Sequence, residues 1–315
     1  MIGAREHIRG VRARSIQDLV LIFPGALGDL LLVLPTLRRL RHRHRPARTV
    51  LVVAEPQREL ARLLDVADMV ASLDDADAAW LFGGSTMPRW LVPGSTVFSW
   101  LGSREPLGER LGRVAANVHL LSVERGPGPA HAAVAYARAA GLPADRRRLA
   151  AEAAIIPPRS VRAAALVDGL RRPLLAVHRG AGAPAKRWAL EGFAEVASWW
   201  RRWRGEVVEL LGPAEAGEPP LIGTRTASDW ALLDVATLLG LADAYVGNDS
   251  GISHLAGAVG TPGVVLFGPT APARWRPLSP RLVALRREVE VEDVRRALVE
   301  VSAGSAACAR SGSTS

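Results

Sequence analysis

The sequence predicts an α/β protein built of two doubly wound domains that face each other across a cleft. Three observations predict it. The chain has 315 residues, about twice a common single-domain length. Short leucine-rich or β-branched runs recur, each followed by a turn and then a segment of 3.6-residue period, which is the sequence form of βαβ units around a parallel sheet. Near the middle, "AGLPADRRRLAAEAAIIPPRSV" carries proline and charge without strand signals and reads as the join, placed at Ile156–Pro158.

In the first half the expected strands are Leu19–Phe23, Thr49–Ala54, Met69–Leu73, Ala79–Phe82 and Thr96–Trp100. In the second they are Leu174–His178, Glu206–Leu211, Ala244–Gly247 and Gly263–Phe267, with helices over Leu190–Trp203, Asp229–Ala242 and Ser250–Val259. A terminal helical pattern, Val291–Val301, is expected to pack back across the domains. The expected divisions are residues 1–157, residues 158–302 and a disordered tail over 303–315. In open α/β sheets ligands sit at the carboxyl ends of the strands, so the loops that follow strands are where chemistry is sought.

Composition narrows the class. Hydrophobic residues at 49% and charged residues at 23% suit a folded chain with a sizeable core. The lone Cys308 rules out structural disulfides and cysteine-held metal, and fits a reducing compartment. The apolar stretch "LVLIFPGALGDLLLVLP" is interrupted by Pro24, Gly25, Gly28, Asp29 and Pro35, so neither a spanning helix nor a signal-peptide core is expected, and the protein reads as cytoplasmic. A formal charge of +9 suggests an anionic partner. With few aromatics and no zinc-finger or RNP-like spacing, nucleic acid is not expected among the partners.

Four stretches carry candidate chemistry. In "LVLIFPGALGDLLLVLPTLRRLR" a strand runs into Gly25, Gly28 and Asp29 before a leucine-rich helix. Glycines there permit a tight turn and close ligand approach. Asp29 either faces the cleft or serves only as a helix N-cap. A dinucleotide fingerprint is disfavoured because only G-x-x-G is present. In "HRGAGAPAKRW" stands Lys186, the single lysine among 40 Lys+Arg residues. A compact ammonium on a glycine-rich loop suits phosphate. In "GNDSGISHLAG" a strand breaks at Gly247, Asn248, Asp249, Ser250 and Gly251 into a helix whose first turns carry His254. Free N–H groups at such a helix start suit a diphosphate, although a plain capped helix with a core histidine reads each residue singly as well. In "GPAE", Glu215 ends a strand where a carboxylate can hold ribose hydroxyls or cap a helix.

Taken together, "GALGDLLLVLPTLRRL", "HRGAGAPAKRW", "GPAE" and "GNDSGISHLAGAVGTPGVVLFGPTAPARW" resemble glycosyltransferase family 9, the lipopolysaccharide heptosyltransferases and their relatives, over roughly residues 18 to 300. The resemblance implies a GT-B fold of two Rossmann-like domains, the first binding the acceptor and the second a nucleotide-sugar, ADP-heptose being the expected donor. It implies inverting transfer to a lipopolysaccharide core or other glycan, with no bound metal and no cofactor. By position, Asp29 would be the catalytic base, Lys186 the phosphate-contacting lysine, and Glu215 the ribose-binding acid. Gly28, Asn248, Asp249, Ser250, Gly251 and His254 would complete the substrate-binding set. The chain departs from the family at Phe23-Pro24 and at Arg179, both expected near the cleft.

"RRLRHRHRPAR" gives the first domain a basic face toward an anionic glycolipid acceptor at the inner face of the inner membrane. "SWWRRWRG" suits a membrane interface, though a helix packing its tryptophans on its own domain is the preferred reading. Two other functions stand beside transfer: a non-catalytic nucleotide-sugar-binding protein of this fold, and an NAD(P)-dependent oxidoreductase.

Overall fold

Leu19–Ile22 (β1) lies between two parallel strands and is buried on both faces, Leu19 and Leu21 in a core with Leu30 and Leu34, Val20 and Ile22 in another with Trp80 and Trp90. This is why the run is continuously apolar rather than alternating. A computed structural model of the chain describes residues 17–102, 105–122, 130–215 and 217–311. Residues 1–16 of the expected first domain and residues 312–315 of the expected tail lie outside the described residues.

After β1 come α1 (Leu27–His44), β2 (Thr49–Val53), α2 (Arg58–Leu63), β3 (Met69–Ser72), β4 (Thr96–Ser99), α3 (Glu105–Gly112), β5 (Asn117–Leu120), α4 (Ala132–Ala139) and α5 (Arg146–Glu152). The second part contains α6 (Val161–Val167), β6 (Leu174–His178), α7 (Leu190–Trp203), β7 (Glu206–Leu211), β8 (Arg225–Ser228), α8 (Leu232–Leu241), β9 (Ala244–Asn248), α9 (Gly251–Ala258), β10 (Gly263–Phe267), α10 (Pro272–Trp275), β11 (Leu282–Arg286) and α11 (Val291–Ser311). Ile156–Pro158 lies between α5 and α6 without regular structure.

The strands form two parallel sheets, ordered β3-β2-β1-β4-β5 and β11-β10-β9-β6-β7-β8. In each, the order reverses once, between β1 and β4 and between β6 and β9. A cleft opens at such a reversal, beyond the carboxyl ends of the strands, because successive crossovers leave to opposite faces. The segments leaving β1, β6 and β9 carry Asp29, Lys186 and Asp249 respectively.

Helix α1 is buried nearly all round, at Leu30, Leu31, Leu32, Val33, Leu34, Leu37 and Leu40. Such a helix needs cover on every side. It packs on α4 and α5 of its own lobe and on α9 of the other. Arg39 grips Glu152 through Nε and Nη2, holding α5 to α1, and the Ile155 amide donates to the Ala258 carbonyl of α9 at 2.9 Å.

Three expectations differ from the structure. Ala79–Phe82 is not a strand but part of a 3₁₀ segment, Ala76–Phe82, in which Trp80 and Leu81 pack over Val20 and Ile22 while Phe82 stays 64% exposed. The terminal helix continues to Ser311, through positions expected to be disordered. It also packs on β9, β10, β11 and α7, all in its own lobe, rather than back across the domains. Strands β5, β8 and β11 are partly exposed edge strands absent from the expected set, and β5 and β8 have little apolar signal. Along α7, Phe193, Val196, Ala197 and Trp200 face inward, and Trp200 donates its indole N–H to the Pro173 carbonyl at 3.0 Å. Trp203 is exposed. No helix among the described residues is long and apolar enough to cross a membrane.

Candidate active site

The turn after β1 is set by close packing. Phe23 is buried edge-on between Trp100 and Tyr136, with ring centroids at 5.8 and 5.6 Å. A Cβ on Gly25 would lie 2.4 Å from the Phe23 ring and 2.8 Å from the Asp29 Cβ, so only glycine lets the chain pass. Helix α1 starts at Leu27 with extended Ala26 in the capping position and no side-chain cap. Asp29 is therefore not the N-cap. Its Oδ1 instead accepts from the Tyr136 hydroxyl of α4 at 3.1 Å.

Across the cleft, a short 3₁₀ turn, Pro184–Lys186, presents the single lysine. Its Nζ donates to Asp249 Oδ2 at 2.8 Å, and the Thr270 hydroxyl donates to the same oxygen. Asp249 is thus neutralised by the ammonium it orients, and Lys186, with 29% of its side chain exposed, keeps donors free for a ligand. Ser250 caps α9, its Oγ accepting from the Ser253 amide.

Asn248 does not reach the cavity. It is fully buried, its Oδ1 accepting from the Trp188 amide at 2.9 Å and its Nδ2 donating to the Arg179 carbonyl at 2.6 Å. It ties the segment after β6 to the end of β9, and so supports the site instead of lining it.

Glu215 is buried, with Oε2 accepting from the Gly212 amide at 2.9 Å and Oε1 3.2 Å from Arg187. Arg187 also meets Glu218 at 2.6 Å, and these hydrogen bonds, the largest cause, hold the Glu218 carboxyl below its ordinary range. Arg179, expected to alter the cleft, points away from it. Its guanidinium is buried on Glu209 at 2.6 Å and also binds Glu218 and the Pro219 carbonyl. Phe23 is likewise a core residue, whereas Pro24 beside it is half-buried, so neither Phe23 nor Arg179 reshapes the cavity wall directly.

Two cavities meet here. One, of about 660 Å³, is lined by Glu215, His178 and the apolar Leu210, Ala227, Trp230 and Val235. The other, of about 400 Å³, is lined by Asp29, Lys186, Asp249, His254, Thr270 and Trp275. Gly28, Gly182, Ser250 and Gly251 line both, so the N-terminus of α9 stands at their junction. The lobes touch at this point: a Cβ on Gly28 would sit 2.9 Å from His254 Cδ2, and one on Gly251 would sit 2.9 Å from Leu27 Cβ. Burial pushes His178 and His254 down to about 4, so both imidazoles are neutral. At His178 the Arg187 and Arg179 charges act in the same direction; at His254 the nearby Asp249 opposes the shift. The His254 Nδ1 is buried without a hydrogen-bond partner.

Sequence reasoning placed Asp29, Gly28, Lys186, Glu215, Asp249, Ser250, Gly251 and His254 around one cleft, and the structure brings all of them to these cavities. It missed Tyr136, Arg187 and Thr270. Arg187 adjoins Lys186 in the quoted motif, but Tyr136 lies in the alanine-rich run "HAAVAYARAA", where only its being one of 2 tyrosines marks it.

Residues 130–299, more than half of the chain, match the model of glycosyltransferase family 9 (heptosyltransferase). The chain belongs to glycosyltransferase family 9. It is 33% identical over 138 residues to lipopolysaccharide heptosyltransferase 2 of Escherichia coli strain K12. That match takes in 40% of this chain and only 39% of the relative's length. Among solved structures it is similar to a glycosyl transferase family 9 protein from Veillonella parvula, with a TM-score of 0.75 at 19% identity, covering 92% of this chain and 98% of that one. It is also similar to the E. coli ADP-heptose LPS heptosyltransferase II, with a TM-score of 0.68 at 18% identity, covering 92% and 99%. These likenesses establish the fold, two Rossmann-like lobes in the GT-B arrangement.

Proposed function

We propose that this member of family 9 is an inverting, metal-independent glycosyltransferase that moves a heptose or related sugar from a nucleotide diphosphate, ADP-heptose in the first instance, to a lipopolysaccharide core or other glycan acceptor. One observation carries the reading: Asp29 of the front lobe and the Lys186–Asp249 pair of the rear lobe line one cavity, which joins a larger, mostly apolar one at the N-terminus of α9. The larger cavity suits a nucleoside, with Glu215 toward the ribose hydroxyls. The diphosphate would lie over the junction, where unsatisfied N–H groups and the positive end of the helix favour negative charge. The sugar would enter the smaller cavity beneath Asp29. The similar E. coli enzyme is named for ADP-heptose, which supports this donor class. On this reading the first lobe, residues 1–157, binds acceptor and the second, residues 158–302, binds donor.

In the step itself, Asp29 takes the proton of an acceptor hydroxyl as its oxygen attacks the anomeric carbon from the face opposite the diphosphate. The bond from that carbon to the phosphate oxygen breaks, its electron pair leaves with the nucleotide, and configuration inverts. Base assistance of this kind is worth about 10²–10⁴ in rate. The leaving charge is met by Lys186 and the Ser250–Gly251 turn, donors placed beforehand in a partly dehydrated site. Lys186 would thus supply the positive charge that a divalent cation supplies elsewhere. Tyr136 holds the base in position.

Incubating the protein with a panel of ADP- and UDP-sugars and deacylated core glycans, with and without EDTA, tests the reading. Chelator-insensitive transfer with inverted stereochemistry supports it. Tight nucleotide-sugar binding without product from any donor would leave a binding protein instead. The charge of +9 also favours peripheral contact with an anionic membrane, which flotation with anionic liposomes at low salt would register.

A further inference from the structure

Away from these cavities, a crevice of about 900 Å³ opens between the lobes, lined by Arg146 and Arg147 of α5 and by Arg276 just after α10. Ala150 and Leu278 give it apolar walls, and Asp145 is its one carboxylate. Asp145 is already engaged, accepting from the Arg148 amide at 2.9 Å as the cap of α5. Elsewhere several partly buried arginines are matched to acids, Arg39 to Glu152, Arg48 to Asp18, Arg58 to Asp75 and Arg179 to Glu209, and others, such as Arg38, are held by backbone carbonyls. Arg146 and Arg276 are half-buried too, yet no ion pair or side-chain hydrogen bond holds either guanidinium among the described residues. Burial, with Arg276 adding its like charge, pushes the Arg146 guanidinium below its ordinary range. Half-buried like charges facing each other with no acid paired to either cost stability, and three guanidiniums against one carboxylate leave the crevice with a surplus of positive charge that an anionic ligand would balance.

We infer that this crevice is an anion site for a phosphate monoester carried on a saccharide-sized molecule, held by Arg146 from one lobe and Arg276 from the other. Guanidinium forks match phosphate oxygens in pairs, and the crevice has room for several sugar-sized groups beyond the phosphate. Because α5 is fastened to α1 by the Arg39–Glu152 pair, whereas Arg276 belongs to the second lobe, a bound phosphate would bridge the lobes. The Arg276 carbonyl accepts from His131 Nε2 at 2.9 Å, and His131 lies near enough to buried His254 for its charge to act on that imidazole. This inference does not depend on the transfer reaction.

The test titrates the full chain with glucose 6-phosphate, glucose and inorganic phosphate in parallel, following thermal stability and calorimetry. It compares the unaltered protein with Arg146→Gln plus Arg276→Gln, and with Lys186→Ala to remove the phosphate contact of the donor cavity. Glucose 6-phosphate should stabilise the unaltered protein and Lys186→Ala alike, and the double variant should bind it at least about tenfold more weakly, the loss of at least one charge-assisted contact. Without anion the double variant should be at least as stable as the parent, because the repulsion is gone. Stronger binding of glucose 6-phosphate than of inorganic phosphate identifies a sugar phosphate as the occupant; equal binding identifies free phosphate. Undiminished binding in the double variant, or binding abolished by Lys186→Ala alone, would overturn the assignment.

Discussion

The hydroxyl of Tyr136 donates to Oδ1 of Asp29 at 3.1 Å, joining α4 to the first turn of α1. The ring is itself wedged edge-on against Phe23, so the donor's position is fixed by core packing. On the proposed mechanism, a base held from behind keeps one rotamer in front of the acceptor. Tyr136→Phe removes the hydroxyl and leaves the packing. It should lower kcat roughly tenfold with donor KM little changed, the value of about one hydrogen bond to a charged group. Steady-state kinetics with unchanged kcat would show that Tyr136 does not position the base.

Lys186 and Asp249 form a pair at 2.8 Å in which the acid is buried and the ammonium is not. Lys186→Ala removes the cation and strands Asp249 as an uncompensated charge facing the proposed diphosphate site. Donor affinity should fall by about 10²-fold, the scale of a lost charge-assisted contact plus new repulsion. Calorimetry with ADP reads this directly. Equal affinity would remove Lys186 from the phosphate site.

Gly180 tests Glu215 without touching it. A Cβ at position 180 would lie 2.3 Å from Glu215 Oε1, too close to tolerate. Gly180→Ala should displace the carboxylate from its Gly212 amide contact, raising the donor KM several-fold while global stability drops by about 1–3 kcal/mol. If ADP binds the variant as it binds the parent, the carboxylate has no part in holding the ribose.

The buried histidines set an acid limit on folding. His131, His178 and His254 are each pushed from 6.5 down to about 4, chiefly by burial, with Arg146, Arg276 and Arg274 adding at His131. The folded protein therefore keeps them neutral while the unfolded chain takes up protons near pH 6.5. Stability is fully present above that pH and is lost as pH falls from about 6.5 toward 4, by up to about 1.4 kcal/mol per pH unit for each histidine. Denaturant midpoints at pH 7, 6 and 5 should fall in that order, and His178→Gln should flatten the slope. A pH-independent midpoint would contradict the buried neutral state.

Much of this was legible in the sequence, for identifiable reasons. Strands buried on both faces, such as β1 and β9, announce themselves as unbroken apolar runs, and the residues that follow them inherit a place at the cleft from topology alone. Lys186 stood out because arginine occupies every other basic position. What escaped were relations between distant segments. Asn248 looked like a ligand contact beside Asp249, but its amide is spent on two backbone groups that no local pattern reveals. Arg179 looked like a cleft residue until its buried partner Glu209, 30 positions on, was in view. Edge strands β5 and β8 carry too little apolar surface to be told from loops, and within Ala76–Phe82 the apolar run Ala79–Phe82 reads as a strand although its backbone makes a helix's hydrogen bonds.

The most direct measurement replaces Asp29 by Asn, an isosteric change that keeps an oxygen for Tyr136 and removes the ability to accept the acceptor's proton. Sugar transfer and ADP affinity are then read on the same preparation. Transfer should fall at least about 10²-fold while ADP binds as in the parent. Turnover close to the parent's would show that Asp29 is not the base and that the chemistry lies elsewhere in the cleft.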